Sequence, residues 1–329
     1  MSQRRRLNEA VRVAVVGVGG MGSNHARVLA SMKGVELVAV VDPDLERARR
    51  VADAYQCRAI GSVEDLPDVD AVCVAAPSSL HCDIAVPLLL NGIDCLIEKP
   101  LATTAEDCQA LIGASKTGGG QILVGHIERF NPAVRELQSI VDPADILSIS
   151  ARRMSAVSGR ILDVDVVLDL MVHDIDIVLG VARVPIVETA ARGIDGPRGA
   201  DHVVALLTLA SGGLASLTAS RITQNKIRHL EVTTKEQFFV IDYPSQELHI
   251  FRQGRIATSG SIDERYTLDV NTEKVLVRRV EPLAEELSHF IRVVRGEQAP
   301  AITGEDAFQA LKTVWAIQSQ VAAKRMQPA

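Results

Sequence analysis

The chain of 329 residues is long enough to form two domains, each with its own hydrophobic core. Hydrophobic residues make up 47% of it and charged residues 23%, the balance of an ordinary globular protein. The net charge of −6 and the aromatic content of 3% argue against a nucleic-acid partner, which requires a basic surface and stacking side chains.

The amino end and the cysteines indicate a cellular compartment. Residues 1–10 include three arginines but no apolar stretch behind them, so we expect neither a signal peptide nor a membrane anchor. The five cysteines are odd in number and lack the spacing of a metal site, which is typical of reduced, mostly buried thiols. These features predict a cytoplasmic protein without membrane association.

A glycine motif follows the first predicted strand, Val11 to Val16. The segment Gly17-Val18-Gly19-Gly20-Met21-Gly22 is G-x-G-x-x-G between a strand and a helical pattern, which is the context of dinucleotide binding. Gly17 permits a tight turn, Gly19 lets the backbone approach a pyrophosphate, and Gly22 lets helix and strand pack closely. The amino end of the helix favours the phosphates. The predicted cofactor contacts here are Gly17, Gly19, Gly20, Met21 and Gly22.

The second strand indicates which dinucleotide is bound. Val35 to Val41 ends in Asp42, about 20 residues past Gly22, where a carboxylate accepts hydrogen bonds from the adenosine ribose. The same carboxylate repels a 2′-phosphate, so NAD is favoured over NADP. Three arginines just beyond keep NADP as the weaker alternative, although a solvated helix face explains them better: Arg47, Arg49 and Arg50.

An apolar run from Ile93 to Ile97 leads into Glu98-Lys99-Pro100. Such a run predicts a buried parallel strand, and ligands collect at the carboxyl ends of these strands. Pro100 lacks a backbone donor and has a restricted φ, so the strand ends and Lys99 is held at its tip. The isomer of the bond before Pro100 stays open, with trans the commoner form. Taken alone, Lys99 would be explained equally well as a solvated strand end.

Strands and helices alternate through the rest of this half. We predict a strand at Ala71 to Ala76, a helix from His81 to Asn91, a helix at about 104–116 and a strand at Gln121 to Val124. This alternation predicts a doubly wound parallel sheet, a Rossmann domain over residues 1–126. Further predicted cofactor contacts at strand ends and at one helix start are Pro77, Ser78, His81, Glu98 and Lys99.

The most informative stretch of the second half runs from Asp165 to Gly180. In a regular helix Asp169, His173 and Asp176 share one face. A histidine exchanges protons near neutral pH, and a carboxylate can fix its tautomer. The alternative is a solvated helix with three polar residues in register. A metal site is less favoured, because no cysteine or third histidine is spaced to complete it.

The remaining pattern changes from helical to β. Alternation predicts a strand at Ile146 to Met154 and a hairpin of His202 to Leu209 with Leu214 to Ser220. Further predicted strands are Ile227 to Thr233, Phe238 to Asp242, Leu248 to Phe251 and Val275 to Val280. We therefore expect an α+β domain over residues 127–329 with a predominantly antiparallel open sheet, one face over helices and one free to meet another subunit. We expect the C-terminal helices within about 283–325 to pack back on the first domain.

With these residues in view, the chain resembles the Gfo/Idh/MocA family of sugar and cyclitol oxidoreductases over nearly its whole length. The resemblance rests on the glycine motif, on Glu98-Lys99-Pro100, and on Asp169 through His173 with Asp176. It implies that Lys99 and His173 contact the reacting hydroxyl and that Asp169 binds substrate, with no metal required. It also implies a homodimer or homotetramer formed through the open sheet face. Further substrate-binding candidates are Arg129, Asn131 and Arg160.

Two segments resemble a nucleotide-sugar branch of that family, Val124 to Pro132 and Asp163 to Asp169. That branch oxidises the 3-hydroxyl of UDP-N-acetylglucosamine or of its uronic acid. Ser155 to Gly159 departs from it by lacking a proline-rich segment. Three alternatives stay open: an inositol or simple-sugar dehydrogenase, a non-catalytic NAD-binding protein or sensor, and an NAD-dependent glycoside hydrolase.

Overall fold

The computed structural model describes residues 9–156, 165–196, 199–258 and 266–323, without the side chains of 253–258 and 266–270. The described residues form two compact units. The first comprises those up to Phe130 together with Glu281–Gln309, and the second comprises Asn131–Val280 together with those from Ala310 onward. The chain therefore leaves the first unit and later returns to it.

The elements are numbered here in chain order. The strands are β1 (Val11–Val16), β2 (Val35–Val41), β3 (Arg58–Ile60), β4 (Ala71–Val74), β5 (Asp94–Glu98), β6 (Ile122–Gly125), β7 (Ile146–Met154), β8 (Ile186–Gly196), β9 (Gly199–Leu209), β10 (Leu214–Ser220), β11 (Ile227–Thr234), β12 (Gln237–Asp242), β13 (Glu247–Thr258) and β14 (Tyr266–Val275). The α-helices are α1 (Gly20–Ser31), α2 (Leu45–Tyr55), α3 (His81–Leu90), α4 (Ala105–Gly118), α5 (Pro132–Ile140), α6 (Val172–Ala182), α7 (Pro282–Val294) and α8 (Gly304–Ala323).

The first unit contains a six-stranded parallel sheet in the order β3-β2-β1-β4-β5-β6. Every residue of β4 and β6 is buried, as expected for strands covered by helices on both faces. The strand order reverses between β1 and β4, and ligands bind at the carboxyl ends beside such a reversal. The predicted doubly wound sheet is confirmed. Strand β3 was not anticipated, because its three residues form no hydrophobic run.

The second unit contains an eight-stranded sheet in the order β14-β13-β12-β11-β7-β10-β9-β8. Neighbouring strands are antiparallel except for the parallel pair β7 and β10, so the predicted predominantly antiparallel sheet is confirmed. The prediction of a strand at Val275 to Val280 was wrong, since β14 ends at Val275. Leu276 is 99% exposed there, so the alternating apolar residues of this segment form no core face.

The prediction of one continuous α-helix after Asp165 was wrong at its start. Val167–Met171 is a π-helical turn, and the regular helix α6 begins only at Val172. Asp165 initiates the segment, because its Oδ1 accepts hydrogen bonds from the backbone N–H groups of Val167 and Leu168 at 3.1 Å. The interval from Asp169 to His173 therefore spans the junction between the π turn and α6 and does not lie in one regular α-helix.

Among the described residues, no helix combines the length and the apolarity that crossing a membrane requires.

Candidate active site

The glycine turn between β1 and α1 is built by close backbone approach. Gly17 has φ +82°, and a Cβ there would lie 2.7 Å from the backbone nitrogen of Ala76. A Cβ on Gly22 would overlap the carbonyl oxygen of Gly17. Gly19 differs, because nothing lies within 4 Å of the position of its Cβ. The turn therefore has one open side, at Gly19, where Gly20 and Met21 begin the helix that favours a pyrophosphate.

Asp42 follows β2 and is only 3% exposed. Its Oδ2 accepts the backbone N–H of Val18 at 3.0 Å, and its Oδ1 accepts that of Asp44 at 3.0 Å. Arg47 Nη1 lies 3.3 Å from both carboxylate oxygens. The carboxylate thus anchors the glycine turn from the neighbouring strand end. Its hydrogen bonds to the ribose remain a prediction.

Glu98 is the last residue of β5 and is buried, whereas Lys99 after it is half-buried. The Lys99–Pro100 peptide bond is cis, the less common isomer. The two carboxylate oxygens of Glu98 serve two neighbours: Oε1 lies 2.8 Å from His25 Nε2, and Oε2 accepts the backbone N–H of Lys99 at 3.2 Å. The end of the strand that presents Lys99 is therefore held by a buried carboxylate.

His81 begins α3 and is 1% exposed. Its Nδ1 lies 3.0 Å from the carbonyl oxygen of Pro100, and its Nε2 lies 2.9 Å from that of Ala76. Burial lowers its pKa, against the opposing effect of these carbonyl groups, so the neutral imidazole is favoured. A neutral imidazole has one N–H to donate, so His81 donates to one of these two carbonyl groups and packs against the other. It lies between the segment after β4, which contains Pro77 and Ser78, and the turn after Lys99. Direct contact of His81 with a cofactor remains a prediction.

His173 and Asp169 lie in the second unit, both half-buried, whereas Asp176 is 1% exposed. The neighbouring Asp174 forms a buried ion pair that sequence reasoning missed. Arg153 of β7 donates to Asp174 Oδ1 through Nη2 at 2.9 Å and through Nε at 3.1 Å.

The guanidinium of Arg153 also lies 5.2 Å from the ring centroid of Tyr243, a cation–π distance. The pair joins α6, which carries His173, to the central part of the second sheet. A signal was present in the sequence: Arg153 continues the buried alternation of Ile149 and Ala151 along β7.

The remaining substrate candidates fall in different places. Arg129 lies in the short 3₁₀ turn Ile127–Phe130 of the first unit. Asn131 is 2% exposed and caps α5, where its Oδ1 accepts from the backbone of Ala133 at 3.1 Å and its Nδ2 donates to the carbonyl of Tyr243 at 3.1 Å. Arg160 lies outside the described residues. Contact of these three residues with substrate remains a prediction.

Two family models match the chain. One, described as an oxidoreductase family with an NAD-binding Rossmann fold, matches residues 11–126. The other, described as the C-terminal alpha/beta domain of the same oxidoreductase family, matches residues 164–328. The chain belongs to the Gfo/Idh/MocA oxidoreductase family.

Relatives within the Gfo/Idh/MocA family differ in substrate. A UDP-N-acetylglucosamine 3-dehydrogenase of Acidithiobacillus ferrooxidans is 32% identical over 86% of this chain and 88% of its own. A solved structure under that name, from the same organism, has a TM-score of 0.88 and covers 97% of this chain and 99% of its own at 31% identity. An inositol 2-dehydrogenase of Rhizobium meliloti is 27% identical over 96% of this chain and 98% of its own.

Membership of the Gfo/Idh/MocA family confirms the predicted class of enzyme and its cofactor. The protein is an NAD-dependent dehydrogenase that acts on CH–OH groups. The residues of the first unit fit NAD: the open side at Gly19, the helix start behind it and the carboxylate of Asp42 all lie at the carboxyl ends of β1 and β2.

Proposed function

We propose that this enzyme uses NAD to oxidise the 3-hydroxyl of a UDP-N-acetylhexosamine, or of its uronate, to a ketone. The observation that carries this proposal is the similarity to the Acidithiobacillus ferrooxidans 3-dehydrogenase, which extends through both units at 32% identity. The inositol 2-dehydrogenase of Rhizobium meliloti supports the second candidate, oxidation of an inositol or a simple sugar.

We propose that the side chains of Lys99 and His173 both contact the hydroxyl group that is oxidised. His173 removes the hydroxyl proton, and bound NAD would accept the hydride that leaves the same carbon. The ammonium group of Lys99 places the hydroxyl and stabilises the charge that develops on its oxygen. Asp169 binds a neighbouring hydroxyl. The products are a ketone, NADH and a protonated imidazole, so atoms and electrons balance without a metal.

Substitution of the two proposed catalytic residues tests this chemistry. Lys99→Ala and His173→Ala should each lower kcat by about 10²- to 10⁴-fold, since each removes a group that acts on the hydroxyl in the transition state. Titration calorimetry should show little change in NAD binding. The matched control is Lys116→Ala, because that lysine is 68% exposed and paired with Glu305 far along the sequence. Turnover near the wild-type rate in either active-site variant would contradict the assignment.

A substrate panel identifies the sugar. The purified enzyme is incubated with NAD and UDP-N-acetylglucosamine, its uronate, UDP-N-acetylgalactosamine, inositols and free sugars. NADH absorbance is followed, and ketosugars are identified by mass spectrometry, with an aminotransferase added to draw an unfavourable oxidation forward. Turnover confined to UDP-sugars supports the nucleotide-sugar proposal, and turnover only on inositols or free sugars supports the second candidate. Release of free sugar without net NADH would indicate glycoside hydrolysis. If no substrate of the panel is turned over while NAD still binds, the protein would be a non-catalytic NAD-binding protein.

We further propose a cytoplasmic homo-oligomer, either a dimer or a tetramer. All five cysteines are free thiols, and three of them are buried, which suits a reducing compartment. Burial raises the pKa of the Cys108 thiol to about 12, so it stays protonated and unreactive. For assembly, the support is the exposed apolar face of the second sheet, where Val204 and Leu206 are each 47% exposed.

A further inference from the structure

Three ionisable side chains from three separate elements meet beneath the strand end that presents Lys99. They are His25 of α1, Glu98 of β5 and Glu286 of α7, which are 0%, 8% and 0% exposed. One nitrogen or carboxylate oxygen of each lies within 4.8 Å of those of the other two. All three residues belong to the first unit, which α7 joins after the chain returns from the second.

Glu98 is held in place on several sides. His25 Nε2 lies 2.8 Å from its Oε1, and the backbone N–H of Lys99 donates to its Oε2 at 3.2 Å. Its carboxylate also passes close to β6, where a Cβ on Gly125 would lie 3.1 Å from Glu98 Cδ and Oε2. A glycine at 125 therefore leaves room for the carboxylate. Glu98 is therefore the member of the cluster whose carboxylate is held in place by hydrogen bonds.

Within the described part of the chain, Glu286 is the member of the cluster with both polar atoms unsatisfied, whereas in His25 only Nδ1 is. The side chain of Glu286 is fully buried, and neither of its carboxylate oxygens accepts a hydrogen bond from a donor among the described residues, although one of them lies within 4.8 Å of an oxygen of Glu98. An ionised carboxylate in that position is costly, and the charge of Glu98 beside it adds repulsion. Burial, the larger cause, raises the pKa of Glu286 well above its usual range, and the charge of Glu98 raises it further.

The elements packed around Glu286 contain few compensating charges. Cys73 of β4 lies close enough to interact with both carboxylates, but burial raises the pKa of its thiol well above the usual value. On α1, the exposed Arg27 is already paired with Glu281. The 3₁₀ turn Ile127–Phe130, which also contacts α7, carries Glu128 and Arg129, and both have interactions of their own. A proton on Glu286 is therefore the simplest way to neutralise it.

A bound metal ion is the other way to neutralise such a cluster, and the geometry argues against it. Two ligands of a tetrahedral zinc ion, each at about 2.0–2.1 Å from the metal, lie about 3.3 Å apart. The separation of 2.8 Å between His25 Nε2 and Glu98 Oε1 is instead the length of a hydrogen bond. His25 Nε2 is therefore engaged in a hydrogen bond with Glu98 and does not have the spacing of a metal ligand.

We propose that Glu286 is a positioning residue for the catalytic strand end: as a neutral acid it shares its proton with Glu98 and so fixes the carboxylate that holds the backbone of Lys99. The positioning part of this inference rests on the proposed role of Lys99. The protonation part rests on the buried cluster alone. In this arrangement α7, more than 180 residues later in the chain, supports the strand end that carries the proposed catalytic Lys99 without touching substrate.

Two substitutions at position 286 separate the role of the proton from that of the side-chain volume. Glu286→Gln keeps a hydrogen-bond donor and stays neutral, so kcat should remain within about threefold of the wild type. Glu286→Leu fills the space without a donor and should lower kcat by about 10- to 100-fold, because a small displacement of a catalytic group is enough to cause such a loss. KM should change less than kcat. Glu285→Gln is the matched control, since Glu285 is the preceding residue of α7 and is only half-buried.

Protonation is measured without reference to activity. Infrared difference spectra of wild type and Glu286→Gln at pH 7 should show the carbonyl band of a buried, protonated carboxylic acid that is absent from the variant. An acid with a raised pKa in the folded state destabilises the fold increasingly as pH rises above its unfolded value. The melting temperature of Glu286→Gln should therefore increase relative to wild type between pH 5 and pH 8, whereas that of Glu285→Gln should not.

Three outcomes would overturn the inference. The first is the absence of an acid band that depends on Glu286, together with a melting difference independent of pH. The second is a stoichiometric metal ion in purified wild type that Glu286→Gln loses, which would make the cluster a metal site. The third is kcat unaffected by Glu286→Leu while Lys99→Ala abolishes turnover, which would remove only the positioning role. If Lys99→Ala itself were fully active, the proposed function would fail, and the positioning role with it.

Discussion

At the scale of single residues, two glycines of one motif have different physical roles. A Cβ on Gly22 would overlap the carbonyl oxygen of Gly17, so this glycine is required by the fold of the turn. Gly19 is exposed, has φ −66°, and nothing lies within 4 Å of the position of its Cβ. An alanine is therefore tolerated at Gly19 by the free protein, and any requirement for glycine there comes from the bound cofactor.

This difference predicts opposite results for two alanine substitutions. Gly22→Ala should lower the free energy of unfolding by more than about 2 kcal/mol, because the backbone of the turn must shift. Gly19→Ala should leave stability nearly unchanged and weaken NAD binding about tenfold or more, since the methyl group occupies the side from which the pyrophosphate approaches. Urea unfolding and titration calorimetry measure the two effects. Unchanged NAD affinity in Gly19→Ala would show that the pyrophosphate lies elsewhere.

At the scale of elements, the buried pair of Arg153 and Asp174 joins a strand to the helix that contains His173. The two residues are 1% and 2% exposed, so both charges are withdrawn from water and each has the other at hydrogen-bond distance. Removal of one partner from a buried pair leaves an uncompensated charge. The neighbouring Arg152 on the same strand offers a contrast, since it is 45% exposed and lies 3.3 Å from Glu231.

The matched arginines of β7 give a direct test. Arg153→Ala should lower the free energy of unfolding by about 3–5 kcal/mol, because Asp174 stays buried and loses the hydrogen bonds and the opposite charge that Arg153 supplies. Arg152→Ala should lower it by less than about 1 kcal/mol, as is usual for solvent-exposed pairs. Urea unfolding followed by circular dichroism measures both. Equal losses in the two variants would contradict the role assigned to the buried pair.

At the scale of the whole molecule, the second sheet has one packed face and one open face. Along β9, Val203, Ala205 and Leu207 are buried, whereas the alternate residues Val204 and Leu206 are each 47% exposed. The strand register places Ile194 of β8 and Leu214 of β10 on the same open face, where they are 58% and 45% exposed. Exposed apolar groups on one face of a sheet are typical of an interface between subunits.

Charge placed on this face should prevent assembly. The double variant Val204→Glu/Leu206→Glu should shift the protein to a smaller assembly, a monomer if the wild type is a dimer, because the two carboxylates would be buried against the partner subunit. Light scattering coupled to gel filtration measures the mass. The control is Leu90→Glu, since Leu90 is 48% exposed but lies on α3 of the first unit. A wild type that is already monomeric, or a double variant of unchanged mass, would contradict an interface on this face.

Local patterns in the sequence determined much of the first unit. Three features of the first unit depend only on residues close to them in the sequence: the β-branched run of β1, the glycines after it and the carboxylate after β2. A short segment of sequence is therefore enough to predict them. The same holds for Thr104, predicted near the start of α4, whose side chain accepts from the backbone of Asp107 at 3.1 Å. In the second unit, alternation correctly predicted β7 and β10 to the residue.

Only the tertiary structure decided which distant groups meet. His25 and Glu98 are 73 residues apart, and Arg153 and Asp174 are 21 apart, yet both pairs form hydrogen bonds in the core. Strand β8 escaped notice because most of its side chains are half-buried or exposed at the sheet edge, which leaves no hydrophobic pattern. Periodicity reports which face of an element is buried, but burial of a charge depends on the partner that packing brings from elsewhere in the chain. For that reason the glycine turn and the position of Lys99 directly after a strand were predictable, and the burial of Glu286 beside Glu98 was not.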